Sequence, residues 1–329
     1  MTAVNTVLDH LQTGSSLTII CHSDPDPDSL SSAIALELLA IESGIETVDI
    51  LYGGTISHQQ NRAFVDRFEI EPKRYSEALL YSNEISAFVD HSLPGNHNPV
   101  PEGTHLDLVV DHHPSAQPVP AAITDVREEY GATATILAEY FRDSHIEITP
   151  RVASALLFGI HRERLDFYQQ PTDREYELTS YLHSRADVGM LRDLYGASFL
   201  PSSVDAIGNV IHNRVRRGSV LVSCIGRLEN RVALAQAADF LLLIEGIDTV
   251  LVCGIVRDEL RLSGRTIRPE FDLGVYFTQV FGDLGDVGGH DDMAGGQLPV
   301  AAFDTEAETD VELVAAIRKR IEDRFFDAL

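Results

Sequence analysis

Four side chains able to bind a metal, His22, Asp24, Asp26 and Asp28, fall within seven residues of one segment, His22-Ser-Asp24-Pro-Asp26-Pro-Asp28-Ser29. Crowded carboxylates repel one another, and a divalent cation is the simplest relief. Pro25 and Pro27 stiffen the loop, so alternate side chains can point the same way with little entropy left to lose. Two further acid–imidazole groups follow downstream, Asp90-His91 and Asp111-His112-His113. A solvated acidic loop explains the first segment alone, but not the three together. Imidazole with carboxylate suits Mn2+, Fe2+, Co2+ or Zn2+ better than a bare Mg2+ or Ca2+ site. Two such ions about 3.5–4 Å apart, sharing a carboxylate, form a clamp for phosphate-ester hydrolysis.

These residues must be gathered by the elements that carry them. Ser16 to Cys21 reads as a buried strand running into the acidic loop, and Leu30 to Ser43 as a helix with Ile34, Leu38 and Ile41 at helical spacing. Thr47 to Tyr52, Ala87 to Asp90 and Leu106 to Asp111 are further strands, the last two each closing on an acid followed by histidine. Alternating strands and helices predict an α/β domain with a parallel sheet and helices on both faces. Ligands of such sheets bind outside the carboxyl ends of the strands, where all three groups lie. Helices are expected over 132–141, 150–160 and 179–195. The segment 196–206 reads as a linker between a domain at 1–195 and a smaller α/β domain at 207–329. In the latter, strands are expected at 219–225, 249–256 and 259–263, helices at 233–244 and 311–326, and a glycine-rich stretch at 282–296 that runs into a further strand.

The motifs resemble those of the DHH phosphoesterase superfamily, and the likeness covers nearly the whole chain. HSDPDPDSLSSAIAL is similar to its first motif, FVDHS to its second and VVDHHPS to its third, in that order. The resemblance implies that His22, Asp26 and Asp90 hold one metal and that Asp28, Asp90 and His112 hold the other, with Asp90 bridging. It implies that Asp111 orients a histidine and that His113 faces the substrate phosphate. The first motif often carries Asn where this chain has Asp24, which leaves Asp24 a neighbour. The fourth motif departs from the family pattern Gly-Ile-x-x-Asp: here Gly159-Ile-His-Arg-Glu163 puts glutamate at the ligand position, with Asp166 in reserve. Gly288-Gly289-His290-Asp-Asp-Met-Ala-Gly295 resembles the signature of the associated DHHA1 domain, which binds substrate, and Arg265 resembles the family arginine that grips a phosphate. Tyr130-Gly-Ala-Thr133 looks like a family segment opening a helix, with Thr133 expected to cap it in preference to reaching an anion at its N-terminus.

The implied cofactor is a pair of Mn2+ ions, with Mg2+ or Co2+ as substitutes. The two-domain layout most resembles the nanoRNase/pAp phosphatase group, whose substrates are short oligonucleotides, linear dinucleotides or 3′-phosphoadenosine 5′-phosphate. A RecJ-type single-strand exonuclease is the alternative, but it needs a basic, aromatic-lined channel. The chain has no tryptophan, and Arg214-Val-Arg216-Arg217, read as a solvated helix end, is its only basic cluster. A family II pyrophosphatase would lack the Gly-Gly-His signature. A nucleotide sensor without catalysis is the reading that Glu163 motivates. Relatives imply a possible homodimer.

Composition sets the surroundings. The net charge of −26 comes from 51 acids against 25 bases, of which only Lys73 and Lys319 are lysine. Such a surface resembles those of halophilic proteins and opposes long polyanions. Cys21, Cys224 and Cys253 sit singly in apolar runs and read as buried, reduced thiols. No run is long and apolar enough to cross a membrane and the first residues lack a secretory pattern, so a cytoplasmic protein with no membrane partner is expected.

Overall fold

In the computed structural model, which describes residues 3–56, 59–115, 117–164, 171–195, 201–228, 232–289, 291–303, 307 and 309–328, the apolar runs of the first half become one sheet. The chain divides into two units, Met1–Ser198 and Phe199–Leu329. The first contains α1 (Ala3–Leu11), β1 (Ser16–Ser23), α2 (Pro27–Glu42), β2 (Thr47–Gly53), α3 (Gln59–Arg67), β3 (Lys73–Arg74), α4 (Glu77–Leu80), β4 (Ile85–Val89), β5 (Leu106–Asp111) and β6 (Ala121–Val126), then α5 (Thr133–Asp143), α6 (Pro150–Glu163), α7 (Asp173–His183) and α8 (Val188–Tyr195). Its strands pair in the order β3-β2-β1-β4-β5-β6, all parallel.

Strand periodicity sorts the apolar residues between two faces. Leu17, Ile19, Ala87, Val89, Leu108 and Val110 join the main core with α2, α5 and α6. Ile20, Phe88 and Val109 alternate to the other face, under Leu80 of α4 and Val100 of the β4–β5 connection. The helix expected from Leu30 begins at Pro27: Asp26 is its N-cap, Oδ1 accepting the Ser29 amide at 3.0 Å, and proline suits the first turn. Pro27 thus opens a helix rather than stiffening a loop. The single helix expected over 179–195 is two, because Asp187 Oδ1 accepts the Gly189 amide at 2.7 Å and starts α8 afresh.

The second unit contains α9 (Pro201–Asn213), β7 (Arg214–Arg217), β8 (Val220–Arg227), α10 (Val232–Leu242), β9 (Thr249–Val256), β10 (Glu259–Thr266), α11 (Leu273–Phe281), β11 (Asp286–Gly289), β12 (Met293–Pro299) and α12 (Asp310–Asp327). Its sheet runs β11-β12-β10-β9-β8-β7, with β8 and β9 parallel and the other pairs antiparallel. Apolar clusters cover both faces, one under α11 and α12, the other under α9 and α10. Three expectations change here. Residues 201–206 of the expected linker open α9, while 196–200 lie outside the described residues. The glycine-rich stretch forms the β11–β12 hairpin, in which Gly288 pairs with Gly295. The Arg214–Arg217 cluster is an edge strand, where Arg217 pairs with Asp327 at 3.4 Å and Arg216 donates to the Gly218 carbonyl at 2.7 Å. All three cysteines are buried and unbridged. Among the described residues no helix is long and apolar enough to cross a membrane.

Candidate metal centre

The carboxyl ends of β1, β4 and β5 are neighbours in the sheet, and their acids and histidines meet there. Asp90 follows β4 with φ of 67°, a left-handed conformation that aspartate tolerates better than most residues. Its amide donates to the Val110 carbonyl at 3.0 Å, which ties the turn to β5. Its side chain is 3% exposed, and its two oxygens face different partners. Oδ2 lies 3.5 Å from His22 Nε2, while Oδ1 lies 3.7 Å from His112 Nε2 and 3.9 Å from His113 Nδ1.

Around this carboxylate the remaining residues form two groups. His22, Asp26 and Asp90 make one, with His22 Nε2 3.8 Å from Asp26 Oδ2. Asp90, His112 and His113 make the other. His112 Nε2 also lies 3.9 Å from Asp28 Oδ2 and 3.9 Å from Glu163 Oε1. These separations exceed hydrogen-bond length. They are within about half an ångström of the span between two donors that share a cation about 2.1 Å from each.

The donor set fits such cations on two independent grounds. His112 Nε2 is buried without a hydrogen-bond partner among the described residues, while Nδ1 lies 3.3 Å from the Tyr130 carbonyl. The carbonyl accepts Nδ1–H and leaves Nε2 as the lone pair that a metal would take. Two of the carboxylates, Asp28 and Glu163, are also poorly neutralised. Burial, followed by repulsion from Asp90, Glu163 and Asp26, holds the Asp28 carboxyl well above its ordinary range. Burial and then the charges of Asp26 and Asp90 push Glu163 up to about 7. A divalent cation would supply the missing positive charge.

His113 is set apart by its partner. Burial alone would lower the imidazole, but Asp111 Oδ1, 2.8 Å from Nδ1, outweighs it and holds His113 at about 9. The ring is therefore an imidazolium at neutral pH, and its side chain is 53% exposed. The Asp111 carboxylate, 1% exposed, also accepts the His113 amide at 3.1 Å and the Ser92 hydroxyl at 2.5 Å. His91 turns away: Nδ1 lies 2.9 Å from the Val89 carbonyl and the ring packs on Phe88 at 4.0 Å. Burial pushes it down to about 4, so it stays neutral.

Helix α5 completes the centre. Its N-cap, Ala132, has no side chain to offer. Asp28 takes that place from α2, accepting the Thr133 amide at 2.8 Å on Oδ2 and the Ala134 amide at 2.7 Å on Oδ1. The expected capping by Thr133 is thus corrected: Thr133 is the first helical residue, and its hydroxyl donates to Asp90 Oδ1 at 2.9 Å. Asp24 stays a neighbour, with Oδ1 accepting the Thr55 amide at 2.6 Å. Ser92 and the Tyr130 carbonyl escaped sequence reading. Ser92 at least follows Asp90-His91 directly, whereas a backbone carbonyl leaves no trace in residue type.

The structure gathers His22, Asp26, Asp28, Asp90, Asp111, His112, His113 and Glu163 in the first unit. Asp166 and His290 lie outside the described residues. In the second unit Gly288 has open space at its Cα, whereas a Cβ on Gly289 would meet the Met293 carbonyl at 2.2 Å, so Gly289 is required by packing. Arg265 on β10 is engaged locally, Nε donating to Asp239 at 2.7 Å and a terminal nitrogen to the Gly264 carbonyl at 2.8 Å.

Residues 16–160 match the model of the DHH family, N-terminal domain, and residues 217–324 that of the DHHA1 domain. An uncharacterized protein of Methanocaldococcus jannaschii is 34% identical over 308 residues, 93% of this chain and 62% of that protein. A probable manganese-dependent inorganic pyrophosphatase of Bacillus mycoides is 27% identical over 195 residues, 59% of this chain and 62% of that protein. The chain thus spans about three fifths of the length of these curated relatives. In fold it is similar to an exopolyphosphatase-related protein from Bacteroides fragilis, with a TM-score of 0.74 at 14% identity over 99% of this chain and 97% of the other.

Proposed function

The chain belongs to the DHH/DHHA1 superfamily, and on that premise we propose that it is a metal-dependent phosphoesterase acting on short nucleotide substrates: oligonucleotides of a few residues, linear dinucleotides or 3′-phosphoadenosine 5′-phosphate. The observation that carries the reading is the Asp90 carboxylate, whose two oxygens face two separate sets of donors. Asp90 would bridge two cations, with His22 and Asp26 completing one site and Asp28, His112 and Glu163 the other. Mn2+ is the cation we propose, with Mg2+ or Co2+ as substitutes, since mixed imidazole and carboxylate donors suit it. Bound there, the pair would supply Lewis acidity toward phosphoryl oxygen and ease deprotonation of the attacking water.

The chain's own groups do the rest. Asp111 holds His113 by Nδ1, so Nε2–H is the donor left for a phosphoryl oxygen or for the leaving oxygen as its bond to phosphorus breaks. Ser92 fixes the second Asp111 oxygen and so keeps that imidazolium in place. Within the DHHA1 unit, Gly288, His290 and Arg265 are the candidate nucleotide-binding residues, Arg265 exchanging Asp239 for a phosphate. Glu163 places a carboxylate near His112 despite its longer stem, which weakens the case for a sensor without catalysis.

Incubating the purified chain with Mn2+ and 5′-pApA, 3′-phosphoadenosine 5′-phosphate, a 24-mer or pyrophosphate, with product chromatography, tests this. Mononucleotide or phosphate release from the short substrates, abolished by Asp90→Ala, is expected. Preference for the 24-mer points to an exonuclease, and preference for pyrophosphate to the activity named for the Bacillus relative. Release by the Asp90→Ala variant at the wild-type rate overturns the reading.

A further inference from the structure

We propose that Thr133 is a positioning residue of the metal centre, coupling the bridging carboxylate of Asp90 to the helix end that holds Asp28. The inference rests on the two-cation reading above and deepens it. Thr133 is fully buried, as are its neighbours Ala132 and Ala134. Three hydrogen bonds meet at this one turn: the hydroxyl donates to Asp90 Oδ1 at 2.9 Å, the Thr133 amide to Asp28 Oδ2 at 2.8 Å, and the Ala134 amide to Asp28 Oδ1 at 2.7 Å. Asp28 and Asp90 come from α2 and from the turn after β4, so neither element can set the other's side chain directly.

The hydroxyl acts on the carboxylate that must serve two partners at once. Asp90 sits in a left-handed backbone conformation, where its side-chain direction is set by surroundings rather than by a regular element. Free rotation would exchange the oxygen facing His22 for the one facing His112. A buried donor fixed on Oδ1 selects one rotamer and leaves Oδ2 toward His22, 3.5 Å away. A hydroxyl donor on one oxygen still leaves that oxygen a lone pair for a cation. The β-branched side chain adds stiffness, because Thr populates few χ1 states at a helix start.

Outer partners of metal ligands are worth about 10–100-fold in metal affinity. Thr133→Val keeps the shape and deletes the donor; Thr133→Ser keeps the donor. The experiment measures Mn2+ binding to the full chain by titration calorimetry, together with thermal melts in EDTA. Thr133→Val is expected to bind Mn2+ about 10–100-fold more weakly, and Thr133→Ser to stay close to the wild type. Activity of Thr133→Val recovers as Mn2+ is raised, which a general packing defect does not allow. If Thr133→Val does not fold in EDTA, Thr133→Ala against Thr133→Ser carries the same comparison. Equal Mn2+ affinity in the donor-less variant and the wild type overturns the positioning role alone. A wild-type chain that binds no Mn2+ removes the two-cation reading itself, and the positioning role with it.

Discussion

Replacing Glu163 by glutamine should stabilise the metal-free chain and weaken the metal-loaded one. In the absence of cations Glu163 faces Asp26 and Asp90, and burial with their charge raises its carboxyl from 4.5 to about 7. An acid whose folded value lies above its unfolded value costs stability above that range and costs nothing below it. The displacement corresponds to about 3 kcal/mol; with the side chain 29% exposed, screening reduces this to on the order of 1–2 kcal/mol. Glu163→Gln keeps the shape and removes the charge. For a unit of this size, the EDTA-treated variant should therefore melt about 2–8 °C higher than wild type at pH 8, and at the same temperature near pH 3, well below the unfolded value, where Glu163 is protonated in both states. With saturating Mn2+ the order reverses, because the wild type gains binding energy that the variant, short of one anionic ligand, does not. Thermal melts followed by circular dichroism at both pH values, in EDTA and in Mn2+, give the four comparisons. A variant that melts lower than wild type in EDTA at pH 8 would refute the electrostatic account of the centre.

Two other perturbations act elsewhere. His113→Ala should lower kcat by about 100-fold or more. The wild-type rate should fall on the alkaline side as the imidazolium held by Asp111 loses its proton, at or below about 9 because bound cations would offset the charges of Asp90 and Glu163 that help to raise it. A kcat–pH profile in which the variant keeps that limb would contradict the assignment. Gly159→Ala should destabilise the first unit by about 1–3 kcal/mol and weaken Mn2+ binding, because the added Cβ would lie 2.3 Å from Ser31 Oγ and 3.0 Å from the Pro27 carbonyl, pushing α6, which carries Glu163, from the start of α2; denaturant melts and metal titration check both effects.

Much of the centre was legible because its signal is local. An apolar strand that stops on Asp-His can be seen in a single line of sequence, and β1, β4 and β5 all fall near their expected places. What escaped was either weakly patterned or long-range. Strand β6, Ala121–Val126, is an edge strand with no fully buried position, so it lacks the apolar run that marked the others. Helices α1 and α3 are short, and α3 is largely polar. The Gly282–Gly296 stretch suggests no element of its own, because glycine disfavours strands; cross-strand pairing of Gly288 with Gly295 overrides that preference. The role of Thr133 was misread because the cap of α5 comes from Asp28, more than a hundred residues earlier, and no local rule anticipates a cap donated by another helix.

The strand order explains why distant motifs had to meet. Chain order runs outward from β1 to β2 and β3 on one side, then returns to place β4, β5 and β6 on the other. The connections after β1 and β4 therefore leave in opposite directions, and a crevice opens between the ends of these two neighbouring strands. His22 stands within β1 near its end and Asp90 directly after β4, on the two sides of that crevice. Asp111 closes β5, the next strand, so His112 reaches the same place from one side only. A carboxylate serving both neighbours must then come from the middle strand of the three. Asp90 is that residue, which makes it the single position whose loss should disable both donor groups, whereas removing His22 or His112 leaves the opposite group intact.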